Sequence, residues 1–176
     1  MSDPTDIKPV THITADAIGP AGQRVFYLQA HKGERTITMV TEKFQVQSLA
    51  IGIEQFLAEI QEKFPDLSDA SHEYHEDAMH IHPPVDPVYR VGELALGYDV
   101  DTDLVILVTK EILTEEQDAE EARVIRLWCT RDQIRALAHW GLEIVGRGRP
   151  LCPQCGAPMD PGETHFCPKK NGHRTD

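Results

Sequence analysis

An α+β fold is what this sequence predicts: two β-β-β-α repeats that form one body, followed by a small C-terminal appendage. Three observations predict it. Short alternating or apolar runs come in sets, and each set is closed by an amphipathic helical stretch. One offset of 88 residues lays the strand-then-helix pattern of the second half over the first. Three of the four cysteines fall in the last 25 residues.

In chain order, residues 10–17 read as a strand, Gly19-Pro20-Ala21-Gly22 as a tight turn and residues 24–30 (RVFYLQA) as a second strand. The turn at His31-Lys32-Gly33-Glu34 leads into residues 35–40, where Thr36, Thr38 and Val40 alternate with Ile37 and Met39 as a half-buried strand requires. Over 44–64, Val46, Leu49, Ala50, Ile53, Phe56, Leu57 and Ile60 recur at spacings of three and four, which puts them on one helix face. Pro65 ends that helix because it has no N–H to continue the ladder.

The second half repeats the order. Residues 89–98 and 104–113 read as strands around an Asp-rich turn, and 121–129 as a third. Thr130 with Gln133 has the form of a capping box, and Ile134, Leu137, Ala138, Ile144 and Val145 make the apolar stripe that follows. The offset of 88 pairs Arg35 with Arg123, Ile37 with Ile125, Val46 with Ile134, Leu49 with Leu137 and Ala50 with Ala138. An internal repeat is therefore expected. Residues 66–87 and 114–121 read as solvated loops, and Gly146-Arg147-Gly148-Arg149-Pro150 as a hinge. The boundary is placed there, giving a body of residues 1–146 and a tail of 147–176.

Composition narrows the function. With 17 Lys and Arg against 29 Asp and Glu, the formal charge is −12, which disfavours whole-surface attraction to nucleic acid or anionic membrane. An apolar content of 40% excludes wholesale disorder. No apolar run reaches the roughly 20 residues a bilayer span needs, and MSDPTDIK lacks the basic and apolar parts of a signal peptide, so a cytoplasmic protein without membrane contact is expected. The tail carries five basic residues against three acids, leaving the body at −14.

The densest chemistry lies in that tail. Cys152-Pro-Gln-Cys155-Gly156 is followed, after eight residues, by His165-Phe166-Cys167. Two thiolates two residues apart can grip one metal ion from a single turn, and a His and a Cys from a second turn complete a tetrahedral zinc site. His173 is an alternative fourth ligand. A closed Cys3His set has no open position for substrate, so the zinc is expected to be structural, stapling a zinc-ribbon-like or knuckle-like module too short to fold alone. A redox CxxC would need a helix N-terminus in a β-α-β setting, which these prolines and the preceding helix do not offer.

Other constellations are weaker. His72, His75, His80 and His82, interleaved with Glu73, Glu76 and Asp77, could form a second metal site, but His72 and His75 are three apart rather than the four of a zinc-protease helix, and Pro83-Pro84 mark a loop. Asp99, Asp101 and Asp103 mimic the start of a calcium loop, with Leu104 and Lys110 where Gly and Glu are required. Cys129, beside Trp128, reads as a buried thiol. No glycine-rich phosphate loop and no nucleophile elbow is present.

The tail resembles the ending of an uncharacterised bacterial family catalogued as a domain of unknown function. Cys152, Cys155, Gly156, Pro158, Asp160, Pro161, His165, Cys167, Pro168, Asn171 and Gly172 carry the resemblance, which extends back through RVFYLQA and, over 90–98, RVGELALGY. The loop between Cys155 and His165 is about one residue longer than the family's usual one, and Lys169 stands where Arg is commoner. The resemblance implies no activity. An association with neighbouring phosphatase-like and lipid-kinase-like genes suits an accessory role.

The expectation is a non-enzymatic accessory or adaptor protein with a protein partner and a structural zinc site used in binding it. A zinc-ribbon protein that meets nucleic acid through Lys169, Lys170 and Arg174 of the tail is a second reading. A metal-dependent hydrolase using the loop of residues 72–82 is a third.

Overall fold

The computed structural model describes residues 4–20, 22–147, 154–155, 165–166 and 174–175. Its body is α+β, built from two sheets and three helices. Strands β2 (His12–Ile18), β3 (Val25–Lys32) and β4 (Arg35–Thr41) form an antiparallel meander, followed by helix α1 (Lys43–Lys63). A long connector carries the short helix α2 (Glu76–Met79). Strands β5 (Val91–Asp99), β6 (Leu104–Glu111) and β7 (Val124–Cys129) form a second meander, followed by helix α3 (Arg131–Gly146).

One strand has no counterpart in the sequence reading. β1 (Thr5–Ile7) pairs in parallel with β7, so the second sheet runs β1-β7-β6-β5. Three residues are too few to show a period, and the pairing partner lies about 120 positions away.

The sheets are stitched together at two places. Val10 N–H donates to the Trp128 carbonyl at 2.9 Å, and Thr11 N–H donates to the His31 carbonyl at 2.7 Å, so the chain passes from one sheet into the other within two residues. At the second place Val88 N–H donates to the Thr38 carbonyl and Val40 N–H to the Tyr89 carbonyl, after which Ile112 N–H donates to the Arg90 carbonyl. Buried Tyr89 is held there by Thr109, whose hydroxyl lies 2.6 Å from the Tyr89 hydroxyl and donates to the Ile125 carbonyl.

Both helices start as their sequences demand. Thr130 Oγ1 accepts from Gln133 N–H and Gln133 Oε1 accepts from Thr130 N–H, satisfying two end donors of α3. At α1, Gln45 Oε1 accepts from Glu42 N–H at 2.8 Å. The side-chain nitrogens of these two glutamines reach the other unit: Gln45 donates to the Val91 carbonyl and Gln133 to that of Val10.

α1 buries Val46, Ala50, Ile53, Leu57 and Ile60; α3 buries Ile134, Leu137, Ala138, Trp140 and Ile144. The helices meet where Gly141 leaves room, since a Cβ there would stand 3.2 Å from Val46 Cγ1. Leu28 and Met39 from one sheet and Leu107, Leu127 and Cys129 from the other join the same core. Each such side chain contributes about 1.5–3 kcal/mol by leaving water. Cys129 is fully buried, and burial pushes its thiol far up, which keeps it protonated and inert.

The Asp-rich turn is a hairpin between β5 and β6, and its carboxylates serve the protein's own donors. Arg131 forms two bonds to Asp103, at 2.8 and 3.2 Å, while the Tyr98 hydroxyl donates to the same carboxylate. Arg131 above all, then Tyr98, holds the Asp103 carboxyl below its usual range. The acidic loop after β6 is solvated as expected, with one 3-10 turn at Ala119–Glu121.

Candidate functional site

Two places concentrate polar chemistry: the connector where it crosses β2 and the end of α3, and the tail beyond it. At the first, Asp16 interrupts the run HITADAI and is only 5% exposed. Its Oδ1 accepts from Ala17 N–H at 2.9 Å; its Oδ2 accepts from Ile81 N–H at 2.8 Å and meets His80 Nδ1 at 3.1 Å. His80 Nε2 faces Glu76 Oε2 at 3.4 Å, one helical turn back, and Glu76 in turn takes a hydrogen bond from Arg147. Both His80 and Arg147 lie against the Trp140 ring, at 5.1 Å each, and the Trp140 indole N–H donates to the Ala15 carbonyl at 2.6 Å.

Charges in this node are matched. Burial pulls the His80 imidazole down, but the hydrogen bonds and charges of Asp16 and then Glu76 outweigh it, so His80 titrates above the ordinary range. The Arg147 hydrogen bond, ahead of every other influence, lowers Glu76. A carboxylate-oriented imidazole can serve as a general base. Here the outer nitrogen is engaged by Glu76, so the arrangement pins the connector and Arg147, the first residue of the tail, to β2.

The four histidines of the connector are drawn to different neighbours. The His72 ring packs at a tilt against His139, 4.3 Å between centroids, and His139 Nε2 lies 3.0 Å from Glu54 Oε1. His75 precedes α2, His80 joins Asp16, and His82 is exposed after buried Ile81. Among the described residues no three His, Cys, Asp or Glu side chains converge as a metal site.

In the tail, Gln154 and Cys155 lie in a turn, and β8 (His165–Phe166) pairs antiparallel with β9 (Arg174–Thr175). Cys152, Cys167 and His173 lie outside the described residues. What the sequence reading missed is Asp16 and its partners. The available signal was a carboxylate inside an apolar strand, an arrangement that needs buried donors, yet periodicity cannot say that the donors come from residues 80 and 81.

With the fold and these sites in view, residues 6–167 match the family described as Protein of unknown function (DUF3090), and the chain belongs to that uncharacterised family. No curated protein and no solved structure matches it. No helix among the described residues is long and apolar enough to cross a membrane.

Proposed function

We propose that this protein is a non-enzymatic accessory or adaptor of the cytoplasm. A duplicated body, residues 1–146, carries a tail, residues 147–176, in which one structural zinc ion shapes a module that binds a protein partner. The single observation that supports this reading most is the donor set. Cys152, Cys155, His165 and Cys167 have ligand chemistry and ligand spacing, in two clusters separated by a loop. The turn at Gln154–Cys155 and the β8–β9 pair are in keeping with a knuckle followed by a hairpin. His165 is favoured over His173 as the fourth ligand because it closes the site within one compact loop pair. Zinc held by these residues would supply a cross-link and no reaction.

The duplication rests on spans and hydrogen bonds. β3 and β6 lie 79 positions apart, end to end, and the pairings Ile18↔Val25 and Asp99↔Leu104 set β2 and β5 81 apart. α1 and α3 start 88 apart, and β4 and β7 end 88 apart, so nine extra residues sit in the acidic loop between β6 and β7. The two reaching glutamines, Gln45 and Gln133, correspond under the offset of 88, and their acceptors Val91 and Val10 under that of 81.

Metal analysis of the purified chain tests the proposal. One zinc per chain is expected, and Cys152→Ala should lose it while the circular dichroism of the body stays unchanged. No bound zinc, or zinc kept by Cys152→Ala, would sink the tail site. Salt-dependent RNA or DNA binding abolished by neutralising Lys169 and Lys170 would replace the protein partner with nucleic acid.

A further inference from the structure

The connector closes the groove between α3 and β2. Arg131 donates to the Ser68 carbonyl, Arg135 to that of Ala70, Asp132 accepts from Ser71 N–H, and the Tyr74 ring meets fully buried Trp140 edge-on at 5.7 Å. The groove of about 320 Å³ between α1 and β5 is left open instead, with Leu49, Leu94 and Leu96 in its wall and a notch at Gly52, where a Cβ would meet nothing within 4 Å.

Beyond α3 the connector is fastened to β2 by contacts of two kinds. The Thr14 hydroxyl donates to the Met79 carbonyl at 2.6 Å and Ile81 N–H donates to Asp16 at 2.8 Å, whatever the state of the imidazole between them. His80 is the other kind. Its ring nitrogens face carboxylates on different elements, Asp16 of β2 through Nδ1 and Glu76 of α2 through Nε2, and Glu76 also accepts from Arg147. Through His80 and Glu76 the first residue of the tail is thus tied to β2.

Proton count decides how much of this bridge can exist. An imidazolium has two N–H donors, one for each carboxylate; a neutral imidazole has one, and sets a lone pair against the other carboxylate. The remaining proton stays toward Asp16, which is buried, so that water cannot replace a lost donor there, whereas Glu76 is half exposed and water can. Nε2 and Glu76 Oε2, 3.4 Å apart, are then two acceptors with no proton between them. α2 is one turn of four residues and has little else to hold Glu76 in place.

We propose that His80 is a proton-operated latch between the body and the root of the tail: protonated, it ties Glu76 and with it Arg147 to β2; neutral, it keeps its bond to Asp16 and releases the Glu76–Arg147 pair. Release leaves Arg147 with Glu143 of its own helix and the Trp140 ring. The charged groups around the node are Asp16 from β2, Glu76 from α2, Arg147 and Glu143 from the end of α3, and Arg24, which donates to the Ile144 carbonyl and feels the Asp16 charge. Among these residue types only histidine ordinarily titrates near neutrality. Burial draws the proton off His80, but Asp16 and then Glu76 outweigh it and hold it above the ordinary 6.5, so the latch is shut below that value and opens as pH rises through the folded-state value. The latch does not depend on the zinc.

The test titrates the full-length chain across neutral pH and follows the His80 ring nitrogens, the amides of Glu76 and Arg147 and the Arg147 Nε–H by NMR. A midpoint shared by all of them is expected, with the proton kept on Nδ1 above it and hydrogen-exchange protection of the Ile81 amide retained throughout. Glu76→Gln changes an exposed side chain and leaves the fold intact; there the His80 midpoint should fall by about half a pH unit and the step at Arg147 should vanish. In His80→Gln no step should remain. Arg147 signals that stay flat through the His80 titration, a step at Arg147 that survives in Glu76→Gln, or a neutral His80 with its proton on Nε2 would each overturn the latch. So would loss of Ile81 protection at the same midpoint, since the proton would then be holding the whole connector.

Discussion

The groove between α3 and β2 and the groove between α1 and β5 each set a helix against a strand, yet one is closed by the chain itself and the other is bare. In the closed one, a tryptophan, a buried aspartate and a connector histidine fit together; in the open one, Gly52 leaves the space and Phe44 faces water. The difference teaches that similar scaffolds can be finished in opposite ways by a single side chain and one crossing segment. The closed side also holds Arg147, the point from which the tail departs.

Breaking the closed groove should cost most. Trp140→Ala removes a fully buried ring and its hydrogen bond to Ala15, and a loss of about 3–5 kcal/mol is expected in urea unfolding. Asp16→Ala leaves the N–H groups of Ala17 and Ile81 without their acceptor, for a loss of about 1–3 kcal/mol and faster hydrogen exchange across the connector. A result near zero for either would mean that the connector is not fastened to β2.

The pH response gives a smaller effect of definite sign. His80 titrates above the ordinary value of 6.5, so the stabilisation it adds is complete below that value and fades as pH rises through its folded-state value. The groups facing it are Asp16 on β2, Glu76 on α2 and, through Glu76, Arg147 at the end of α3. Replacing His80 by Gln should lower the melting temperature more at pH 6 than at pH 8. Equal losses at both would show that His80 acts by packing alone.

The smallest effect belongs to the open groove. Gly52→Ala should change stability by less than about 1 kcal/mol, in the stabilising direction, because the added methyl meets nothing and alanine is the better helix former. A loss of several kcal/mol would show that something already fills the notch.

Much of this was legible from residue order. The stripe from Val46 to Ile60 placed α1, Thr130 with Gln133 placed the start of α3, and the alternation through Thr36 and Met39 placed β4, because period and capping are local properties. The offset of 88 separates the ends of β4 and β7 and the starts of α1 and α3, whereas β3 and β6 lie 79 apart, because the acidic loop before β7 is longer than the turn before β4 and has no pattern to align. Within residues 66–87 the sequence showed a polar loop; it could not show that the loop brings Met79, His80 and Ile81 onto Thr14 and Asp16.

What the sequence alone determined, then, is the family, the α+β class, the order of β2 to β7 with α1 and α3, and the ligand-like spacing of the tail cysteines, all set by neighbours a few positions apart or by motif. Only the tertiary structure decided that β1 pairs with β7, that Trp140 and the connector close one groove, and that Gly52 leaves another open. Those outcomes depend on contacts between residues 60 to 125 positions apart, where chain order fixes no distance and packing does.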